Sequence, residues 1–377
     1  MSFSGFNHRH GRFPGATRLA ALSGMLCLLI FEPKFVFAAD QSAKAKSGFI
    51  PIPAIYYTPE TAVAAGGLFI YYFRNDADPA EAKPSQIKPI VILTEKKQLI
   101  TSLLLSRRWN GGKDHLSIFS RYRRYPDKIW GVGPRTTPAM EEDYSSNIAS
   151  VEASWERETS FGWSLGPVAI QSAYQVTTSA PDGALASGAL TGSEGARSGG
   201  VGMLFTRDTR DNLFAPMAGA FDTLRLIHFK PMNSRYRPYN DVQLEARRYF
   251  NLTGAQVFGF RLFCQGQNGD VPFRELASIG GPDRMRGYYE GRYRDKVSVI
   301  GEAEYRFPIW GRFRGAGFAS AGNVAGTIDQ IAATPAKYSV GGGIRFVVDE
   351  DERIGIRVDY GKSPESEGLY VQLNEAF

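Results

Sequence analysis

Residues Gly280 to Lys296 read GGPDRMRGYYEGRYRDK, with four arginines, four glycines and three tyrosines in a stretch that follows neither a helical nor a strand period. Guanidinium chemistry is what such a segment offers. Arg286, flanked by Met285, Gly287 and Tyr288, is suited to fold into a polar interior and meet a carboxylate through paired hydrogen bonds. Gly280, Gly281 and Gly287 permit the backbone conformations of a tight re-entrant turn. Nucleophilic chemistry is scarce by comparison. His115 with Ser117 two residues on suggests a Ser–His pair, but spacing supplies no third orienting group and no G-x-S-x-G elbow occurs. The chain is therefore expected not to be an enzyme. Past the amino-terminal leader, one cysteine and two separated histidines make no metal signature, and no cofactor is implied.

What holds such a loop must be sought in the rest of the chain. Residues 1–39 carry Arg9, Arg12 and Arg18, an apolar run from Leu19 to Phe31, and small residues at Ala38-Ala39. This reads as a secretory signal peptide, its run too short for a bilayer of roughly 30 Å. Removing its four basic residues and one acid from totals of 44 and 38 leaves 40 against 37, a net +3. No nucleic-acid or other acidic partner follows from that balance. Cys264 then stands alone, which rules out an intramolecular disulfide in an exported protein. No later segment has about 18 consecutive apolar residues, so helical spans are excluded and two options remain, a soluble periplasmic protein or an outer-membrane barrel.

Alternation decides between them. From Val297 to Phe307 one face reads Val297, Val299, Gly301, Ala303, Tyr305, Phe307 and the other Ser298, Ile300, Glu302, Glu304, Arg306. Tyr338, Val340, Ile344, Phe346 and Val348 oppose Ser339, Gly341, Gly343 and Arg345, and Ile354, Ile356, Val358 and Tyr360 oppose Arg353, Gly355, Arg357 and Asp359. Sixteen such segments are expected, the first at 49–57 and the last at 368–377. Short turns at 109–113, 159–162, 251–254 and 309–311 alternate with longer polar loops at 125–144, 178–197, 268–294 and 325–336. An all-β, transmembrane antiparallel barrel of about 16 strands over 49–377 fits that rhythm, preceded by a short periplasmic linker at 40–48. Trp109, Trp130, Trp155, Trp163 and Trp310 fall near strand ends or in loops, where an aromatic girdle would place several of them. Arg121, Arg123 and Arg124, with Arg107 and Arg108, read either as the lining of an anion-preferring pore or as solvated charges. Asp208, Arg210 and Asp211 read as a charged rim or as turn-forming residues. With Phe377 on the periplasmic side, five strands follow the arginine-rich segment, so it lies in a long external loop that folds inward. Glu302 and Glu304 are its nearest lumen carboxylates.

Met285-Arg286-Gly287-Tyr288 resembles the VRGF/Y loop motif of the BamA/TamA outer-membrane family, the bacterial surface antigens, whose loop plugs a sixteen-stranded barrel. Phe205-Thr206-Arg207-Asp208-Thr209-Arg210-Asp211-Asn212, with Pro216 and Gly219, is similar to the family's DTRDN segment. Ile279-Gly280-Gly281-Pro282 precedes the loop motif as in the family, and Glu304-Tyr305-Arg306-Phe307-Pro308 resembles the next strand, whose Glu receives the loop arginine. Phe377 ends the chain as the family's carboxy-terminal assembly signal does, although Glu375 occupies an apolar position of that signal. Ser320 stands where the family carries an Asp, so the resemblance implies a lock that is weaker or shared by Glu302. Only about ten residues separate Asp40 from the first strand, far short of a POTRA module.

The resemblance implies an outer-membrane location in a Gram-negative-type bacterium and a role in inserting or translocating proteins, or moving lipid, through a seam between the first and last strands. A passive pore or structural barrel without insertase activity is the alternative. Implied partners are outer-membrane lipid, the barrel assembly machinery for the chain's own insertion, and a separate periplasmic protein supplying the module.

Overall fold

The computed structural model describes residues 47–74, 84–232, 236–350 and 353–377. The leader and the linker up to residue 46 lie outside the described residues. The strands are β1 (Ser47–Thr58), β2 (Ala62–Phe73), β3 (Ser85–Thr94), β4 (Leu99–Trp109), β5 (Asp114–Ile129), β6 (Glu142–Glu158), β7 (Ser164–Ser179), β8 (Gly195–Asp208) and β9 (Gly219–Pro231). They continue with β10 (Tyr239–Thr253), β11 (Gln256–Asn268), the short β12 (Ala277–Ile279) and β13 (Tyr293–Asp295), then β14 (Val297–Trp310), β15 (Phe313–Ala325), β16 (Lys337–Asp349), β17 (Ile354–Lys362) and β18 (Glu367–Leu373). All but β12 and β13 close into one antiparallel barrel of sixteen strands, each beside its neighbour in sequence except at β11–β14 and at the closing pair β1–β18. Closure pairs every edge except along most of the β1–β18 seam, and paired edges are the condition for strands to sit in hydrocarbon.

Burial follows the sequence alternation, with the usual sense inverted. On β16 and β17 Tyr338, Val340, Ile344, Ile356, Val358 and Tyr360 are 40–59% exposed on the outer face, while Ser339, Arg345, Arg357 and Asp359 are at most 3% exposed inside. A barrel with apolar residues outside and charges inside is stable only where hydrocarbon surrounds it.

β1 starts at Ser47, inside the expected linker 40–48, and β8 at Gly195, inside the expected loop 178–197; three further boundaries differ for reasons visible in the packing. β5 and β6 run on past the expected loop start to Ile129 and Glu142, because Tyr125, Ile129, Tyr144 and Ile148 form a buried cluster with Phe273 inside the barrel mouth. β18 stops at Leu373, where Asn374 takes φ +61° and turns the chain across the barrel end. Phe377 is thus off the strand and 3% exposed, with its carbonyl accepting from Arg306 Nη2 at 2.8 Å. Trp130 is not part of a girdle, being 4% exposed and edge-on to Tyr289 of the long loop.

The closing seam is the weakest ladder. β1 and β18 share a single opposed pair, Tyr57 with Val371, whereas β17–β18 has seven and β1–β2 runs unbroken from Ser47–Phe73 to Thr58–Ala62. Pro51 and Pro53 sit inside that β1–β2 ladder, which a residue lacking N–H can join only with its nitrogen turned away from the partner. Two residues apart, they face the same way, toward the seam.

Candidate functional site

The connection from β11 to β14 leaves the barrel end opposite the carboxy terminus and folds back into the lumen. β12 and β13 pair through Ala277–Asp295 to Ile279–Tyr293 and form the neck of this loop. Its tip reverses through Gly280, Gly281 and Gly287, all at φ between +91° and +108°. Met285 also adopts a positive φ of +72°, a conformation a bulky residue holds only under constraint from its surroundings. That constraint is visible: the Met285 amide donates to Oε1 of Glu302 at 3.3 Å, and its side chain is fully buried with Phe263, Tyr288, Tyr293 and Ile300.

Arg286 is 1% exposed and reaches two strands at once. Nη2 donates to Oε2 of Glu304 on β14 at 2.7 Å, Nη1 pairs with Oδ2 of Asp359 on β17, and the guanidinium lies 3.5 Å from the centroid of the Phe318 ring. The two carboxylates are themselves shared. Glu304 also accepts from Arg306 Nε at 2.7 Å and Arg345 Nη2 at 3.3 Å, and Asp359 from Arg345 Nη1 at 2.6 Å and Arg357 Nη1 at 2.7 Å. Glu375, two residues past the end of β18, completes the cluster with Arg345 at 3.1 Å and Arg306 at 3.5 Å. Four guanidiniums therefore interlock with three carboxylates.

The second charge on Arg286 comes from Asp359, not from the position that Ser320 occupies. Ser320 donates instead to Glu302 at 3.2 Å, and Glu302 pairs with Arg261 at 3.1 Å while holding the Met285 amide. Both thus support the loop from beneath without touching the guanidinium. Asp359, Arg345 and Arg357 had their signal in the alternation, which puts them all on the polar face. Glu375, read as an exception in an apolar face, points inward because the chain turns at Asn374.

Gly287 seats the loop against the last two strands. Its amide donates to the Tyr370 hydroxyl on β18 at 3.0 Å and its carbonyl accepts from Ser366 Oγ at 2.7 Å. A Cβ on Gly361 of β17 would come within 2.8 Å of the Arg286 carbonyl carbon, so the close approach requires glycine there. On the other side of the seam, Glu60 in the β1–β2 turn accepts from the Glu290 amide at 2.8 Å and is 1% exposed. Burial, reinforced by the nearby charge of Glu290, pushes the Glu60 carboxyl up to about 7. The loop thus touches both strands that the seam separates, through Tyr370 and Glu60. Nothing in a single turn residue such as Glu60 marked it in the sequence.

At the opposite end, Asp208 and Arg210 form a bidentate pair at 2.8 and 2.9 Å, and Arg210 lies over Phe221. Asp211 caps the amides of Met217 and Ala218 at 2.9 and 3.1 Å and pairs with Arg353. Partial burial would raise the Asp211 carboxyl, but Arg353 and the two amides outweigh it and hold the group below its ordinary range. These residues shape the turn and also tie it to the neighbouring one, so the two sequence readings coexist. His115 contacts Ser106, not Ser117: Ser106 Oγ is 2.9 Å from Nε2, and Glu156 lies 4.0 Å from Nδ1, beyond hydrogen-bond reach. His115 and Glu156 are opposed across β5 and β6, which is enough to explain their proximity.

Residues 173–362 match the Omp85 superfamily domain. The fold is similar to that of BamA from Haemophilus ducreyi lacking POTRA domains 1–3, with a TM-score of 0.59 and 12% identity over 88% of this chain and 70% of that one. It is also similar to CdiB from Acinetobacter baumannii, with a TM-score of 0.55 and 13% identity, and to CdiB from Escherichia coli, with 0.56 and 10%. In both, 88% of this chain is covered, and it spans 60% and 62% of the two CdiB chains. No curated protein matches the chain.

Proposed function

This chain belongs to the Omp85 superfamily, and from that premise we propose that it works in the bacterial outer membrane, aiding insertion or translocation of a polypeptide, or movement of lipid, through the β1–β18 seam. The observation that carries this reading is the single opposed pair at that seam. Each missing ladder hydrogen bond forgoes roughly 0.5–1.5 kcal/mol in water, and more where no water can replace it. A seam with Pro51 and Pro53 on its edge therefore opens before any other pair of strands. The route is lateral and not axial, because buried Met285, Tyr288 and Tyr293 fill the lumen beside Arg286. That filling disfavours the passive-pore alternative. The activity needs no covalent chemistry from Ser106, His115 or Glu156. Its partners are outer-membrane lipid, the assembly machinery that inserts the barrel itself, and a separate periplasmic protein that presents the client.

A disulfide across the seam tests the proposal. Tyr57→Cys with Val371→Cys, in a Cys264→Ser background, joins the one opposed pair. In proteoliposomes, the reduced form should speed membrane insertion of an unfolded barrel client, measured by protease protection, and the oxidised form should not. Equal acceleration by both forms, or by neither, refutes the reading.

A further inference from the structure

A cavity of about 540 Å³ lies in the lumen, away from the Arg286 cluster, between the walls of β5–β7 and β9–β11 and beneath Arg274 and Glu275. Its carboxylates are all engaged. Glu152 is held by Arg225 at 2.8 Å, Glu275 accepts from Ser172 at 2.6 Å, and Asp241 accepts from Gln243, Gln265 and Gln267 at 2.6–2.8 Å. Arg274, at the roof, pairs with Asp127 at 3.3 Å.

Two cations remain. Among the described residues Arg121 and Arg123 form no ion pair, and the Nε of each is buried without a hydrogen-bond partner. They are successive lumen positions on β5, so their backbones stand about 7 Å apart. Each guanidinium lies near an aromatic ring on the same strand, Arg121 at 5.9 Å from the centroid of Phe119 and Arg123 at 5.4 Å from that of Tyr125. Ring contacts of this kind restrain the side chains and leave their outer N–H groups directed at the cavity. Of the other arginines grouped with them in the sequence, Arg107 and Arg124 are exposed on the outer face, and Arg108 is part-buried and does not line this cavity. The two like charges stand side by side in a part-buried wall; Glu290, Glu275 and Glu152 lie near enough to offset them in part, but none of these carboxylates pairs with either guanidinium.

We propose that this cavity is a binding site for a small phosphate-bearing anion, held by the paired guanidiniums of Arg121 and Arg123. The volume admits a diphosphate with its water, and the forked donors of two arginines match phosphate oxygens better than they match a halide. The same chemistry serves a free solute or a short lipid headgroup.

Isothermal calorimetry on the folded full chain in a neutral detergent tests it with pyrophosphate, with dihexanoyl phosphatidic acid below its micelle concentration, and with sodium chloride at matched ionic strength. Saturable binding of pyrophosphate, weakening as salt rises and reduced at least tenfold by Arg121→Gln with Arg123→Gln, is the expected result. Saturable binding of the phosphatidic acid alone, lost in the same variant, supports the site and assigns a lipid headgroup. If neither phosphate compound binds the wild-type chain beyond chloride, or if the double variant binds as the wild type does, the site does not exist. Should the double variant fail to fold, Arg123→Lys replaces it, and unchanged binding there counts equally against the proposal.

Discussion

Nη2 of Arg286 lies 2.7 Å from Oε2 of Glu304, joining the tip of the long loop to a strand only eighteen residues further on. Because Arg306, Arg345 and Arg357 crowd the same carboxylates, the cluster's side chains number four cations against three anions. Removing an acid enlarges that excess, whereas removing Arg286 balances it. Asp359→Asn is expected to cost about 3–5 kcal/mol, and Arg286→Met only about 1–3 kcal/mol. Heat-modifiability on gels, which separates folded from unfolded barrel, ranks the two. A larger loss for Arg286→Met would show that the surplus charge is not felt.

Gly361→Ala should push the loop off the wall, since its new methyl meets the Arg286 backbone instead of a movable side chain. In intact vesicles the wild-type loop should resist trypsin, and the variant should be cut near Arg284 or Arg286 while the barrel stays folded. Continued resistance would mean that the close approach is not needed.

Glu60 gives a pH dependence whose sign can be worked out. Its folded-state value of about 7 stands above the ordinary 4.5, so folding favours the protonated form. The stability it contributes is full below about pH 4.5 and is lost as pH rises through 7. Melting temperature of the wild type should fall between pH 5 and pH 8, and Glu60→Gln, which keeps an acceptor for the Glu290 amide, should flatten that fall. Parallel curves for the two proteins would remove Glu60 as the source.

Asp211 separates turn geometry from ion pairing. Arg353→Gln breaks a half-exposed pair and should change stability by less than about 1 kcal/mol. Asp211→Ala also strips the acceptor from the amides of Met217 and Ala218, and should cost about 1–3 kcal/mol. Equal losses in denaturant titrations would make the ion pair the dominant contact.

The fold was legible because lipid and lumen impose opposite polarity on successive residues: Glu302, Glu304, Arg306, Arg345, Arg357 and Asp359 all fall on the side that alternation gives them. Arg286 stood out through composition alone. Its second partner did not, because Asp359 lies 73 residues away and only closure of the barrel brings β17 opposite the loop. Glu60 and Tyr370 were invisible for the same reason, each being a single polar residue given its role by a non-local contact. The hairpin of β12 and β13 escaped because three-residue strands carry no period, and the tail past Leu373 because alternation does not show where a ladder ends.

Hydrogen exchange of the folded chain in lipid nanodiscs, read by mass spectrometry, bears most directly on the weak seam. Amides of 47–58 and 367–373 should exchange well before those of 114–129 and 142–158, and Arg286→Met should widen the difference by loosening the loop that touches Tyr370 and Glu60. Protection of β1 and β18 equal to that of β5 and β6 would contradict the account.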